Sequence, residues 1–205
     1  MSLQSADLHP DFEALRLTFL ADMFARCRAE AGELHRPGSG ETPWSLGCRC
    51  YDRITFAIEQ AARSGQYPWL GIIQARAPGE PFLFQIGSQP VKFYTGNSAK
   101  PTARSLRIDP PELRALTLFG TSDGTPSDIW IWRIAINVDA KGRVVQVTLL
   151  QATGGGSVRQ PFSIPFSGNP GGVVVPLFQN GITQPPPDVG TWEEEVEADD
   201  GSRVD

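Results

Sequence analysis

Residues 128–151, DIWIWRIAINVDAKGRVVQVTLLQ, decide how this chain is read. Two runs rich in β-branched and aromatic residues, Asp128 to Val138 and Arg143 to Gln151, flank Asp139-Ala140-Lys141-Gly142, which places glycine where a hairpin turn needs a positive φ. Trp130, Trp132, Ile134, Ile136 and Val138 alternate onto one face of the first run, and Arg133 and Asn137 take the other. A strand divided in this way is expected to be covered on one side more than the other. An antiparallel hairpin is thus the anchor from which the rest of the chain is placed.

Upstream, Trp69 to Ala77, Phe82 to Ile86 and Val91 to Thr95 are short apolar runs separated by Pro78-Gly79 and by Gly87-Ser88-Gln89-Pro90, the pattern of a three-stranded antiparallel meander. A basic connection from Gly96 to Ile108 leads to Asp109-Pro110-Pro111-Glu112. There the aspartate is placed to cap a short helix carrying Leu113, Leu116 and Leu118 or Phe119, ended by Gly120. Further upstream, Phe12, Leu15, Phe19, Met23 or Phe24, Cys27 and Ala31 recur at helical spacing before Gly32. Thr42-Pro43 then opens a second helical stripe, Trp44, Cys48, Tyr51, Thr55, Ile58 and Ala62, closed by Gly65 and weakened by Gly47.

Downstream, Thr153-Gly154-Gly155-Gly156 reads as a turn, followed by weaker strands at Phe162 to Phe166 and Val173 to Phe178. Pro185-Pro186-Pro187 is a stiff spacer. The expectation is an α+β domain over residues 1–187, with two N-terminal helices and one short central helix packed on an antiparallel sheet of about five to seven strands. Residues 188–205 are expected to form a disordered acidic tail. A core helix followed by βββαββ resembles the element order of type III secretion chaperones, and that resemblance of topology implies a chaperone-like adaptor.

A chain of 205 residues can bury one good core, and its 21 glycines and 18 prolines favour short strands and many turns. No run approaches the ~18 apolar residues of a membrane helix, and Met1 to Asp7 lacks a basic region followed by an apolar one, so a cytoplasmic protein off the membrane is expected. Cys27, Cys48 and Cys50 fit reduced thiols. The first 187 residues carry 17 Lys and Arg against 15 Asp and Glu, whereas residues 188–205 carry Arg203 against eight acids. The body is nearly neutral and the tail is strongly acidic.

The residues argue against several kinds of chemistry. His9, near the start of the first helix, and His35, in a loop, are the only histidines, which disfavours Ser-His-Asp or Cys-His catalysis. Cys27, His35, Cys48 and Cys50 supply soft ligands at the wrong spacing for a zinc site; Cys27 and Cys48 fall on the apolar stripes and are read as core thiols. Phosphate-loop and dinucleotide fingerprints are absent from the sequence. Asp123, Asp128 and Asp139 read as turn carboxylates, so no catalytic residue, metal ligand or cofactor is assigned.

Three features point to binding. Between Val91 and Arg114, Lys92, Lys100, Arg104, Arg107 and Arg114 meet only Asp109 and Glu112, with Phe93, Tyr94 and Asn97 interleaved. Lys92, Tyr94, Asn97, Lys100, Arg104 and Arg107 form a candidate surface for phosphate or stacked bases. Trp130 and Trp132 share a face that would serve as an interface anchor if uncovered. Trp192, Glu193, Glu194 and Glu195 begin an acidic segment suited to a basic partner or to the body's own basic loop.

These features lead to a non-catalytic, bacterial-type interaction module, such as an antitoxin, a defence-system accessory subunit or a chaperone-like adaptor, that covers a protein partner. A nucleic-acid-binding accessory domain using the basic 92–107 stretch is the alternative. An enzyme of unfamiliar type, built on Tyr51, Asp52 and Arg53 with Arg104 as an anion clamp, ranks third.

Overall fold

The computed structural model describes residues 8–77, 80–118 and 129–167, which belong to one compact unit. Its long helices are α1 (Ala14–Glu33) and α2 (Pro43–Arg63), followed by β1 (Leu70–Gln74), β2 (Leu83–Ile86) and β3 (Gln89–Thr95). A one-turn helix, α3 (Ala103–Leu106), and the central helix α4 (Pro110–Leu118) lead to β4 (Trp130–Val138), β5 (Val144–Thr153) and β6 (Val158–Ile164). The strands form one sheet in chain order, antiparallel throughout except where β3 and β4 run parallel. That parallel pair is required by the crossover through α3 and α4, which returns the chain to the end of the sheet where β3 began.

Helices cover both faces of this sheet. On the first face, α1 lays Leu17, Leu20, Met23 and Phe24 onto the strands, each worth about 1.5–3 kcal/mol of transfer free energy. Phe24 meets Phe93, and Phe12, just ahead of the helix, packs edge-on against Trp132 at 4.5 Å. On the second face, Leu106 of α3 packs with Ala135, Leu150 and Ala152, and Leu116 of α4 packs with Ile129 and Ile131.

This two-sided cover corrects the one-sided reading of β4, whose residues Ile131 to Ile136 are all buried. The polar face survived in the sequence only as Arg133 and Asn137, because α3 and α4 supply apolar cover around a single buried guanidinium. Trp132 is therefore a core residue, which removes it from any partner surface, and Trp130 lies under the guanidinium of Arg159 at 3.7 Å.

The helical stripes need similar correction. In α1 the buried residues of the first two turns are Leu17 and Leu20; Leu15 is exposed, and Phe19 packs on Tyr67 and Trp69. Thr42 caps α2 in a reciprocal box with Ser45, and the helix runs unbroken through Gly47. Its core stripe is Cys50, Ile54, Ile58 and Ala61, so Cys50 and not Cys48 is the second core thiol, while Trp44 and Cys48 are exposed. Burial pushes the Cys27 thiol up to about 11 and raises that of Cys50, so both stay protonated near neutrality.

The β2–β3 turn shows why one glycine is required. Gly87 adopts φ +59°, and a Cβ there would lie 2.2 Å from the Asp11 carboxylate, which accepts hydrogen bonds from the Ser88 N–H and hydroxyl. The chain ahead of α1 is thereby clipped to the hairpin.

β6 begins earlier than the expected run at Phe162, and Gly156, at φ +94°, closes its turn with β5. The strand expected at Val173 to Phe178, the turn carboxylates Asp123 and Asp128, and the tail with Trp192, Glu193, Glu194 and Glu195 lie outside the described residues. No helix among the described residues is long and apolar enough to cross a membrane.

Candidate functional site

The basic stretch divides into a buried part and an open part. In the buried part, Arg133 is fully enclosed and all five of its N–H donors are used. Glu112 accepts two of them at 2.5 and 3.0 Å, and the carbonyls of Ser105, Arg107 and Trp132 take the other three. Lys92, next to Arg133 in the β3–β4 register, reaches Asp109 at 2.6 Å, Glu112 at 2.7 Å and the Arg107 carbonyl at 3.3 Å.

Two cations and two carboxylates thus close a neutral, hydrogen-bonded network that pins α4 and the segment before it to β3 and β4. Asp109, expected as a helix cap, gives its carboxylate to Lys92 and Arg107 instead. Burial pushes that carboxyl up, but the hydrogen bonds and charges of Lys92 and Arg107 outweigh it and hold the group below its ordinary value. Lys92 lines the edge of the site with its charge already neutralised, which takes it out of the set expected to grip phosphate.

The open part is a cleft of about 1030 Å³. Its floor is the end of β3 from Lys92 to Thr95. One wall comes from the start of α2, with Trp44, Cys48, Tyr51 and Asp52; the β1–β2 connection adds Arg76, Glu80 and Phe82. The opposite wall is the segment from Asn97 through α3 to Asp109, carrying Lys100, Arg104 and Arg107. The structure therefore brings Lys92, Tyr94, Asn97, Lys100, Arg104 and Arg107 to one place, as the sequence grouped them.

Within the cleft the charges differ in how they are used. Arg107 is largely exposed and pairs with Asp109 at 2.9 Å, and Arg76 pairs with Asp52 at 3.3 Å. Lys100 and Arg104 are exposed and have no ion-pair or hydrogen-bond partner for their side chains among the described residues. Asn97 turns its side-chain oxygen to the Ala99 N–H and so serves the local turn.

The aromatic groups gather on the first wall. Trp44 is 78% exposed, and Tyr51 lies against Phe93 with ring centres 5.4 Å apart and the rings tilted by 33°. Burial raises the Tyr51 phenol above its ordinary value. Tyr94 projects to the other face, where burial pushes its phenol up to about 12 and its hydroxyl has no partner among the described residues.

Tyr51, Asp52 and Arg104 share the cleft, but Arg53 does not line it and instead pairs with Glu30 at 2.8 Å. Of the residues considered for a metal, Cys27 and Cys50 are buried, Cys48 faces the cleft and His35 pairs with Glu41. No group of three or more potential ligands lies together among the described residues.

Sequence reasoning missed Trp44 as a cleft residue because it reads as part of the core stripe of α2. It also missed the β1–β2 connection. Its signal was Pro78 and Pro81 ahead of Phe82, since proline resists extension of a paired strand. No protein-family model, curated protein or solved structure matches this chain.

Proposed function

We propose that this protein is a non-catalytic interaction module that receives part of a protein partner in the cleft between the start of α2 and the segment from Asn97 to Asp109. The observation that carries this reading is the pairing of an exposed aromatic wall, Trp44 and Tyr51, with unpartnered cations, Lys100 and Arg104, across one open cleft. Aromatic side chains and arginine are the residues that most often anchor protein interfaces. The cleft's openness suits a segment of another macromolecule better than a small substrate, which needs an enclosing pocket.

The test is recovery of the protein from its own cells by affinity capture, comparing wild type with the Lys100→Glu, Arg104→Glu double variant. A stoichiometric protein partner that is lost in the variant is the expected result. Wild type recovered with no protein partner would sink this reading.

The same two cations beside Tyr94 and Trp44 favour a second reading, a nucleic-acid-binding accessory domain. Its affinity for single-stranded DNA or RNA would fall steeply with salt and would depend on Lys100 and Arg104. Fluorescence anisotropy at low ionic strength separates it from the first.

A further inference from the structure

β3 is longer than the strand beside it. It pairs with β4 from Val91 to Thr95, and the Gly96 N–H still reaches the Ile136 carbonyl, but its pairing with β2 stops at Val91. Ile86 and Gln89 flank a two-residue turn and so begin the ladder as a hydrogen-bonded pair, with Phe84 and Val91 next. Continuing that alternation turns the N–H and C=O of Phe93 and Thr95 away from β4 and toward the cleft. The Gly96 N–H, one residue further, faces β4 as the count requires.

β2 does not claim this edge. The chain ahead of Leu83 leaves the ladder, so the Phe82–Phe93 pair that would continue it does not form. Pro161 blunts the outer strand β6, whereas residues 92–95 contain neither a proline nor a bulge.

We propose that the cleft captures an extended peptide segment by strand addition to the β3 edge at Phe93 and Thr95, and that the segment it fits alternates apolar and acidic residues. The proposal rests on the protein-binding reading above and specifies its mode. Successive side chains of an added strand point to opposite faces. One set would meet Trp44, Tyr51 and Phe93; the other would meet Lys100 and Arg104, whose charges have no acidic partner among the described residues. Main-chain hydrogen bonds fix the register and the two walls select the sequence, which is how strand-adding domains divide affinity from specificity. A nucleic acid would satisfy the walls but would leave the open ladder positions of β3 without a matching strand.

The experiment titrates a short synthetic peptide of alternating valine and glutamate into the full chain, followed by anisotropy and by amide hydrogen exchange. Comparison peptides carry N-methyl groups on one or the other alternate set of amides, or hold the same residues in two blocks; a single-stranded oligonucleotide is run beside them. The alternating peptide should bind and slow exchange at Phe93 and Thr95. Methylation of the edge-facing set should weaken it about tenfold, as loss of one or two backbone hydrogen bonds requires, with the other set changing it by less than about twofold.

Binding that is indifferent to both methylations would overturn strand addition and leave side-chain capture of a protein partner standing. Absence of peptide binding, when a cellular protein partner is recovered in the capture experiment, would sink this proposal alone. Binding of the oligonucleotide and of no peptide, with no partner captured, would remove both.

Discussion

Lys92, on the floor of the cleft, with the buried Arg133 beside it, and Lys100 and Arg104, on one wall of the cleft, carry the same charge and sit within one short reach of the fold. The first pair is surrounded: Arg133 has a partner for every donor, and Lys92 holds two carboxylates and a carbonyl. The second pair is exposed and has no such partner among the described residues. The number of partners, and not the density of basic residues, separates charges that hold the structure together from charges available to a ligand. A buried guanidinium with one acceptor missing would be expensive, whereas an exposed one is simply hydrated.

The sharpest way to break this contrast is at Glu112, which is wholly buried and serves both Arg133 and Lys92. Glu112→Ala leaves a buried guanidinium without its carboxylate and should cost about 3–5 kcal/mol. For a domain of this size that is a fall of about 6–20 °C in Tm, read by thermal and denaturant unfolding. Replacing both members, Glu112→Leu with Arg133→Met, should recover much of the loss, since no unpaired charge remains in the core. A single variant as stable as wild type would mean that the network contributes little.

Lys92→Met should have a smaller effect, about 1–3 kcal/mol, because Arg133 still neutralises Glu112 and Arg107 still reaches Asp109. The loss should depend on pH. Asp109 has a folded pKa held below its reference of 3.8, so its contribution is fully present above that value and is lost as pH falls through the folded pKa. Lys92 is one of the groups holding it down. The stability difference between wild type and Lys92→Met should therefore be largest above about pH 4 and narrow at lower pH. A difference that stayed constant through the acid range would place the Lys92 contribution in packing of its methylene chain.

The sequence exposed the sheet more clearly than the site. The β4–β5 hairpin, the β1–β2–β3 meander and the capped start of α2 are local patterns, carried by alternation, turn glycines and Thr42 ahead of Pro43. The parallel pairing of β3 with β4 was not legible, because it depends on where a crossover returns the chain. Arg133 on an alternating strand reads as a solvent-facing residue; only the cover by α3 and α4 and the acceptor at Glu112 make it a core residue.

Site residues followed the same division. Lys92 to Arg107 line one cleft because a single stretch of chain bends around the end of β3, and the one-turn α3 within it was not legible. Trp44 and Tyr51 fell on a periodic stripe whose first half overhangs the sheet. Helical periodicity identifies a face of α2 but not whether strand or cleft lies beneath it.

Charge reversal at the open pair tests the other side of the comparison. Lys100→Glu with Arg104→Glu should leave stability within about 0.5 kcal/mol, since neither side chain has an ion-pair or hydrogen-bond partner among the described residues to lose. Binding of an acidic segment should be abolished in the same variant, and the salt dependence of any residual binding should flatten. A large stability loss here would show that the rim charges are part of the folded framework after all.

Arg107 stands on the boundary and should give the smallest effect. Its side chain is 72% exposed and touches Asp109, whereas its carbonyl accepts from both Arg133 and Lys92. Arg107→Ala removes the exposed ion pair and keeps the carbonyl, so the loss should be no more than about 0.5 kcal/mol and should shrink further with added salt. Arg107→Pro keeps that carbonyl as well, but fixes φ near −65° and restricts Leu106 before it, at the end of α3. The backbone of Arg107 at φ −58° already satisfies the ring, so any loss beyond that of the ion pair would come from the missing N–H at the end of α3 and from the constraint on Leu106. Proline much more damaging than alanine would locate the contribution of this residue in the path of the backbone that presents carbonyls to Arg133, and equal effects would locate it in the side chain alone.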